Sequence, residues 1–360
     1  MDFIKIINNN PDGDVGRCLA LTGDRAQIFK RGRINIDFGD AGVGKTTFQF
    51  QKNICFALGQ PFAGLIPIRE IHCMYINTEQ DHADLKRRYL EPFLRVYPAN
   101  SDIFKRVRQN LEIYDCDEVC GSTSLNKGSR TKMIIEALEA KVDEFRSKRD
   151  LTDDTLMMLT IDPVYTWWAD CLGTNANVTN YITKPLREFS KRKNIALTLV
   201  CHTHRVKKGE LLSMNDIQGG HSLTGGVDSI FAFEKDEDTK QRIIRCLKGE
   251  AEGLCCSVKD NDDENKFMGD FEPSECPYDS SELRTLPETK SSDLYSILKG
   301  LFPWKVRSRN EASYLIRSLV LSKIISKVKG KNAYIGCQFG KKPEKTIDDI
   351  DQLNGMELIR

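Results

Sequence analysis

The chain reads as an α/β protein with a mostly parallel central sheet covered by helices on both faces, and two observations predict this. Apolar runs of strand length alternate along the sequence with amphipathic stretches of helical length. Most positions in those runs are apolar or small, the pattern of strands buried on both faces, and such strands belong to parallel sheets between helical layers. The strand runs are RINIDFG (33–39), IHCMYIN (71–77), NLEIYDC (110–116), LMMLTID (156–162), IALTLVC (195–201) and SIFAFE (229–234). Between them lie helical stretches at Thr46 to Leu58, Asp81 to Phe93, Thr131 to Lys148 and Val178 to Lys193, so the order is β-α-β-α.

With 360 residues, 40% of them hydrophobic and 29% charged, the chain has room for one large domain and a small one of ordinary soluble composition. Lys and Arg number 53 against 52 Asp and Glu, so the net charge of +1 argues neither for nor against nucleic acid. No run approaches the roughly 18 apolar residues of a membrane span. The N-terminus MDFIKIINNNPDGD lacks the apolar stretch and cleavage site of a signal peptide. The expectation is a cytoplasmic protein with no membrane partner. The 12 cysteines sit mostly inside apolar runs such as ICFAL and LVCHTH and read as small buried hydrophobes. Cys116 with Cys120, and Cys255 and Cys256 with Cys276, are the best metal candidates, but neither set has the paired spacing of a zinc site.

Composition divides the chain into four parts: an N-terminal extension (1–30), the α/β domain (31–258), an acidic polar linker (259–292) and a basic segment (293–360). From residue 293 to 345 there are 12 Lys and Arg against 3 Asp and Glu, a bias that the whole-chain figure conceals. This segment reads as a helix (Asp293 to Leu301), a turn around Pro303, one or two helices over Asn310 to Lys329, and GKNAYIGCQF as a β-wing. That order is winged-helix-like, a form that binds DNA or docks on proteins.

The strongest chemical signal is Gly39-Asp40-Ala41-Gly42-Val43-Gly44-Lys45-Thr46, a complete GxxxxGK[ST], followed by Thr47. It stands directly after one strand run and before an amphipathic helix, the setting in which this motif cradles phosphates. Its glycines let backbone N–H groups turn inward around a β-phosphate, and the helix that follows points its positive end at the anion. Lys45 reaches the β- and γ-phosphates, and the Thr46 hydroxyl can ligate Mg²⁺. ATP and Mg²⁺ are therefore the expected cofactors, with residues 39–47 as the nucleotide-binding run. Asp162, ending LMMLTID, is the candidate carboxylate for the metal; a turn-capping Asp before Pro163 is its structural alternative. Glu79, after IHCMYIN and before a helix, is placed to act as general base, or it serves only the helix dipole.

On these residues the chain resembles the RecA-like P-loop ATPases, most closely the hexameric replicative helicases of the plasmid RepA type, with DnaB and KaiC more distant. The resemblance covers residues 30 to 250. YINTEQD matches the family's Tyr-x-Ser-x-Glu-Asp element at Tyr75 and Glu79, with Gln80 in place of the second acid. Asp162-Pro163 matches the end of its Walker B strand. LVCHTHR is similar to its γ-phosphate-sensing His-His-Thr-x-Lys, with Cys201 at the first His, then His202 and Thr203, and Arg205 at the Lys. GGHSLTGGVDSIFAFE follows the small-residue stretch that leads to the next strand. RIIRCLKGEAEG keeps Lys248 of a Lys-x-Arg element that reaches the neighbouring subunit's ATP site, but has Glu250 where the Arg falls. The resemblance thus implies a catalytic set of Lys45, Glu79, Asp162, His202 and Lys248, with Arg245 as a possible helper or substitute for Lys248. An HxH metal site at His202 and His204 ranks below phosphate sensing, since no third ligand is in view.

The resemblance also places the loops after Asp162 and after His202 at a ring's central channel. Arg205, Lys207 and Lys208 suit strand phosphates, whereas Tyr165, Trp167 and Trp168 either stack on bases or anchor the core. The implied protein is an ATP-dependent, ring-forming DNA motor, a replicative helicase translocating on single-stranded DNA. It implies a homo-oligomeric ring, a hexamer, and a replication initiator or primase as a further partner. The alternatives are a recombinase-like or KaiC-like ATPase without unwinding, and a nucleotide-switched DNA-binding regulator of replication or partition.

Overall fold

The first strands, β1 (Cys18–Thr22) and β2 (Gln27–Lys30), pair antiparallel, and the P-loop strand β3 (Ile34–Gly39) follows one turn later. β4 (Leu65–Pro67) adds to the other side of β1, closing a small sheet of order β2-β1-β4. The central sheet is built from β3, β5 (His72–Asn77), β6 (Leu111–Tyr114), β7 (Met157–Asp162), β8 (Ala196–His202) and β9 (Ser229–Lys235), all mutually parallel. Two antiparallel strands, β10 (Gln241–Lys248) and β11 (Cys255–Lys259), extend it on the β9 side to the order β11-β10-β9-β3-β8-β7-β5-β6. The structure is a computed structural model that describes residues 18–22, 26–63, 65–115, 119, 126–171, 174–204, 212–235, 241–252, 255–259, 281–303, 306, 308–321 and 324–337.

Helices cover both faces of this sheet, as the alternating pattern predicts. On one face lie α1 (Lys45–Ala57) and α2 (Asp102–Asn110). Phe48, Phe50, Ile54 and Phe56 of α1 pack there with Leu19 and Ala20 of β1 and Ile28 and Phe29 of β2, so residues 18–30 share the core of the large domain. On the opposite face lie α3 (Lys127–Arg149) and α4 (Lys184–Arg192). α3 starts where the Asn126 side chain accepts the Ser129 N–H at 2.9 Å, and it ends at Asp150 in the left-handed region, φ 54°. Its Ile134, Leu138, Val142 and Phe145 recur at helical spacing and are buried. Each such side chain contributes about 1.5–3 kcal/mol of burial.

β3 alternates more strictly than its apolar reading implies. Ile34, Ile36 and Phe38 join the α3/α4 core, whereas Asn35 and Asp37 belong to the other set of alternate positions and are also fully buried. Asn35 accepts the Ser229 hydroxyl at 2.7 Å. Asp37 accepts a hydrogen bond from the Gln49 side chain and pairs with the Lys52 ammonium at 3.4 Å, both from α1. Lys52 is itself 0% exposed, with its ammonium 4.6 Å from the Phe29 ring centre. This buried polar layer joins the P-loop helix to the P-loop strand.

A separate apolar cluster belongs to the C-terminal part, where α5 (Ser291–Leu301) and α6 (Arg309–Leu321) pack on an antiparallel sheet. Its strands are β12 (Thr289–Lys290), β13 (Ile325–Lys327) and β14 (Ala333–Gly336), in the order β12-β14-β13. Leu283 and Leu286 already belong to this cluster, so the fold of the small unit begins before residue 293, inside the stretch that composition assigns to the linker.

Candidate active site

β3 delivers the P-loop to the carboxyl edge of the parallel strands, where ligands of open α/β sheets bind. Gly39, the last residue of β3, aligns with His202 of β8 on one side and Phe233 of β9 on the other. A side chain at Gly39 would meet the Phe233 carbonyl and lie 3.0 Å from its Cβ, so only glycine fits between these strands. Gly44 precedes the helix with φ 92°, a left-handed value that glycine adopts without strain. Lys45 is 6% exposed, and its ammonium donates to the carbonyls of Gly39 at 2.7 Å and Asp40 at 2.8 Å. Burial lowers its pKa, opposed by the charges of Asp162, Asp40 and Glu79. The Thr47 hydroxyl, two residues along, bonds with Tyr89.

Asp162 ends β7 on the same edge and is buried. Its carboxylate accepts the Tyr75 hydroxyl at 2.6 Å and a further hydrogen bond from the Thr46 hydroxyl. Burial raises its pKa above the usual carboxylate range, while the Tyr75 and Thr46 hydroxyls and the Lys45 charge act against that rise. Thr46 and Asp162 thus present adjoining oxygens at the start of α1, a donor set that fits a hard cation such as Mg²⁺.

Glu79 is presented by a turn tied to the end of β7. The Asn77 side chain accepts the N–H groups of Glu79 at 3.0 Å and Gln80 at 2.6 Å. The Thr78 N–H donates to the Asp162 carbonyl at 2.9 Å, and its hydroxyl donates to the Pro163 carbonyl at 2.5 Å. Held this way, the exposed Glu79 carboxylate lies 3.3 Å from His202 Nε2. Thr203, next on β8, gives its hydroxyl to the Asp40 carboxylate of the P-loop. Residues 39–47, Glu79, Asp162 and His202 are therefore brought to one edge.

Lys248 is not part of this cluster. β10 runs antiparallel to β9, so Lys248 pairs with Ile230 at the opposite, amino edge of the sheet. Its ammonium donates to the Thr224 carbonyl at 2.8 Å; burial lowers its pKa, Asp228 opposes this, and Arg187 reinforces it. Arg245, the proposed substitute, is corrected by the structure: it is 4% exposed and committed to Glu234 through Nε–Oε2 at 2.6 Å and Nη2–Oε1 at 3.0 Å. Glu250, at the family's Arg position, pairs instead with Lys30.

The base-stacking alternative for the first loop is likewise corrected. Tyr165, Trp167 and Trp168 are 5%, 8% and 0% exposed in the α3/α4 core, and the Trp168 indole donates to the Thr131 hydroxyl at 2.9 Å. Arg205, Lys207 and Lys208 lie outside the described residues, as do Cys116, Cys120 and Cys276. Where the basic stretch ends, the Leu212 N–H donates to Glu234 at 2.7 Å and its carbonyl accepts from Arg245 at 2.9 Å. Among the described residues no group of three or more His, Cys, Asp or Glu could hold a metal ion, which leaves the HxH pair without further ligands.

Sequence reasoning matched Tyr75 to the family but assigned it no task; here it holds Asp162. The anchoring of the Glu79 turn by Asn77 and Thr78, and the Thr203 contact with Asp40, had no signal beyond a polar residue at a strand end.

A P-loop on the central strand, with one strand between it and the buried Asp162, defines a RecA-like P-loop NTPase fold with an ATP-binding site. Residues 26–208 match the AAA domain family, and the chain belongs to that family. Among solved structures it is similar to the RadB recombinase, with 12% identity over 66% of this chain and 91% of that one and a TM-score of 0.42. It is also similar to the ATPase domain of a helicase, with 10% identity over 66% and 84% and a TM-score of 0.47. Comparison with characterised protein sequences gives no match. Among the described residues no helix is long and apolar enough to cross a membrane.

Proposed function

We propose that this protein hydrolyses ATP with Mg²⁺ and works as a ring-forming DNA motor, a replicative helicase of the RepA type that translocates on single-stranded DNA. The observation that carries the reading is the division of groups between the two edges of one sheet. Lys45, Thr46, Asp162, Glu79 and His202 share the carboxyl edge, while Lys248 lies at the amino edge, out of reach of its own P-loop and suited to that of a second copy. When bound, ATP and Mg²⁺ supply the transferable phosphoryl group and neutralise its charge. P-loop N–H groups and Lys45 hold phosphate oxygens, and Thr46 with Asp162 offers oxygens to the metal. Glu79 orients the attacking water and takes its proton. His202 links the Glu79 carboxylate to the strand that continues into Arg205, Lys207 and Lys208, the residues proposed to meet DNA phosphates.

The proposed organisation is an ATPase domain over 31–258, a linker over 259–292 and a winged-helix-like domain over 293–360, in a cytoplasmic ring, a hexamer, with a replication initiator or primase as partner. The test measures phosphate release and unwinding of a forked duplex by wild type and Lys45→Ala, with particle size followed by light scattering. Loss of both activities in the mutant and a multi-subunit particle are expected. Wild-type hydrolysis by Lys45→Ala, or a monomer fully active at all concentrations, refutes the assignment.

A second reading, a nucleotide-switched DNA-binding regulator, is favoured by one feature of the C-terminal unit. A cavity of about 500 Å³ between α5, α6 and the β13–β14 turn is lined by Lys290, Arg309 and Lys331 beside Ser291 and Tyr295. Tight, sequence-selective duplex binding without unwinding is the result that selects this reading.

A further inference from the structure

Strand β10 brings a cation to the P-loop that the catalytic set does not include. Arg242, the second residue of β10, pairs with Lys235 at the end of β9 and so stands at the carboxyl edge, at the opposite end of the strand from Lys248. Its side chain packs directly on Gly44: a Cβ built there would lie 3.0 Å from the guanidinium carbon and 3.3 Å from Cδ, with Nη1 closer still. The left-handed φ of Gly44 turns the position where a side chain would be toward Arg242, so the absence of one is what lets the guanidinium approach.

Gly44 caps α1, and the N-terminus of a helix carries roughly half a positive charge. The buried Lys45 ammonium is the next residue. A guanidinium beside both is repelled by each, and an anion lying among the three reverses the sign of every one of those interactions. The geometry therefore extends the anion site beyond the P-loop backbone and Lys45.

The flank on which Arg242 stands decides which part of the ligand it meets. His202, Asp162 and Glu79 belong to β8, β7 and β5, all on one side of β3; Arg242 belongs to β10, beyond β9, on the other side. The first flank holds the groups assigned to the reacting γ-phosphate. From this we infer that Arg242 binds the α-phosphate and nucleoside end of the nucleotide held by its own P-loop. The inference rests on the ATP-site reading above and adds to it a residue for affinity rather than for the chemical step.

The test titrates ADP, ATP and inorganic tripolyphosphate against the full-length protein by displacement of a fluorescent nucleotide, in wild type, R242A, R242K and K45A. R242A is expected to weaken ADP and ATP by the same factor, about ten- to a hundredfold for a charge-assisted contact. Tripolyphosphate should be affected less, and R242K should recover part of the loss. In turnover the loss should appear in KM. Thermal melting checks that R242A is folded; if it is not, the same comparison is read on R242Q. Unchanged ADP affinity in a folded variant overturns the inference, as does a loss confined to ATP, which would put Arg242 at the γ-end. K45A separates the premise: if it binds ATP like wild type, the P-loop assignment itself fails, whatever Arg242 does.

Discussion

Stability should fall steeply in mild alkali because thiols that would ionise in the unfolded chain are kept neutral by burial. Cys55 on the P-loop helix is pushed by burial from 9.0 to about 12, and burial drives Cys246 on β10 higher still. Neither ionises in the folded protein below about pH 11, while both titrate normally once unfolded. The folded pKa of an acid is raised here, so the stabilisation is fully present below the unfolded value and is lost as pH rises past it. Between about pH 8 and about pH 10 each thiol removes roughly 1.4 kcal/mol, or about 3 kcal/mol for the pair. That is a large part of a typical stability of about 5–15 kcal/mol. The buried Lys45 and Lys52 have lowered pKa values and work in the opposite direction, so the cleanest measurement is a difference. Urea unfolding of wild type and Cys55→Ala/Cys246→Ala in reducing buffer should show their stability gap shifting by about 3 kcal/mol across that range, in favour of the double variant at high pH. The lysine contribution and the cavity left by the substitutions are common to all pH values in that comparison and cancel. A gap independent of pH would refute the reasoning, because it would mean that these thiols titrate alike in both states.

Three further outcomes are expected. Glu79→Gln should keep ATP affinity while hydrolysis falls about 10²–10⁴-fold, whereas Asp162→Asn should also shift the Mg²⁺ dependence; both are read from phosphate release at varied metal. Lys52→Met should cost about 3–5 kcal/mol in urea titration because Asp37 stays buried without its cation, and adding Asp37→Leu should restore most of it. Lys248→Ala subunits should be inactive alone but partly rescued by Lys45→Ala subunits, which still carry Lys248, once sizing shows that the two forms mix; no recovery in mixed particles removes the intersubunit role.

Much of the α/β core was legible because its signals are local. The phosphate loop is a contiguous motif, and strands such as Met157–Asp162 announce themselves by burial on both faces. The short strands β1, β2 and β4 were missed, since three to five residues without alternation carry no periodicity. The helix at Asp102–Asn110 was missed too, although Ser101 caps it by accepting the Phe104 N–H. Its Val107 and Asn110 are the only buried positions, so there is no apolar stripe to read.

What the chain determined by itself was therefore the P-loop, the alternation of elements and the carboxylates at two strand ends. Tertiary structure alone decided the strand order, and with it which groups share an edge. Lys248 and Arg242 are six positions apart on one strand, yet one lies at the amino edge and the other against Gly44. It also decided that Arg245 is spent on Glu234 and that the tryptophans are core. Spacing along the chain sets only which face or end a residue can occupy; contact partners depend on hydrogen-bond pairing between strands far apart in sequence, and that pairing is settled by how the whole apolar surface is buried at once.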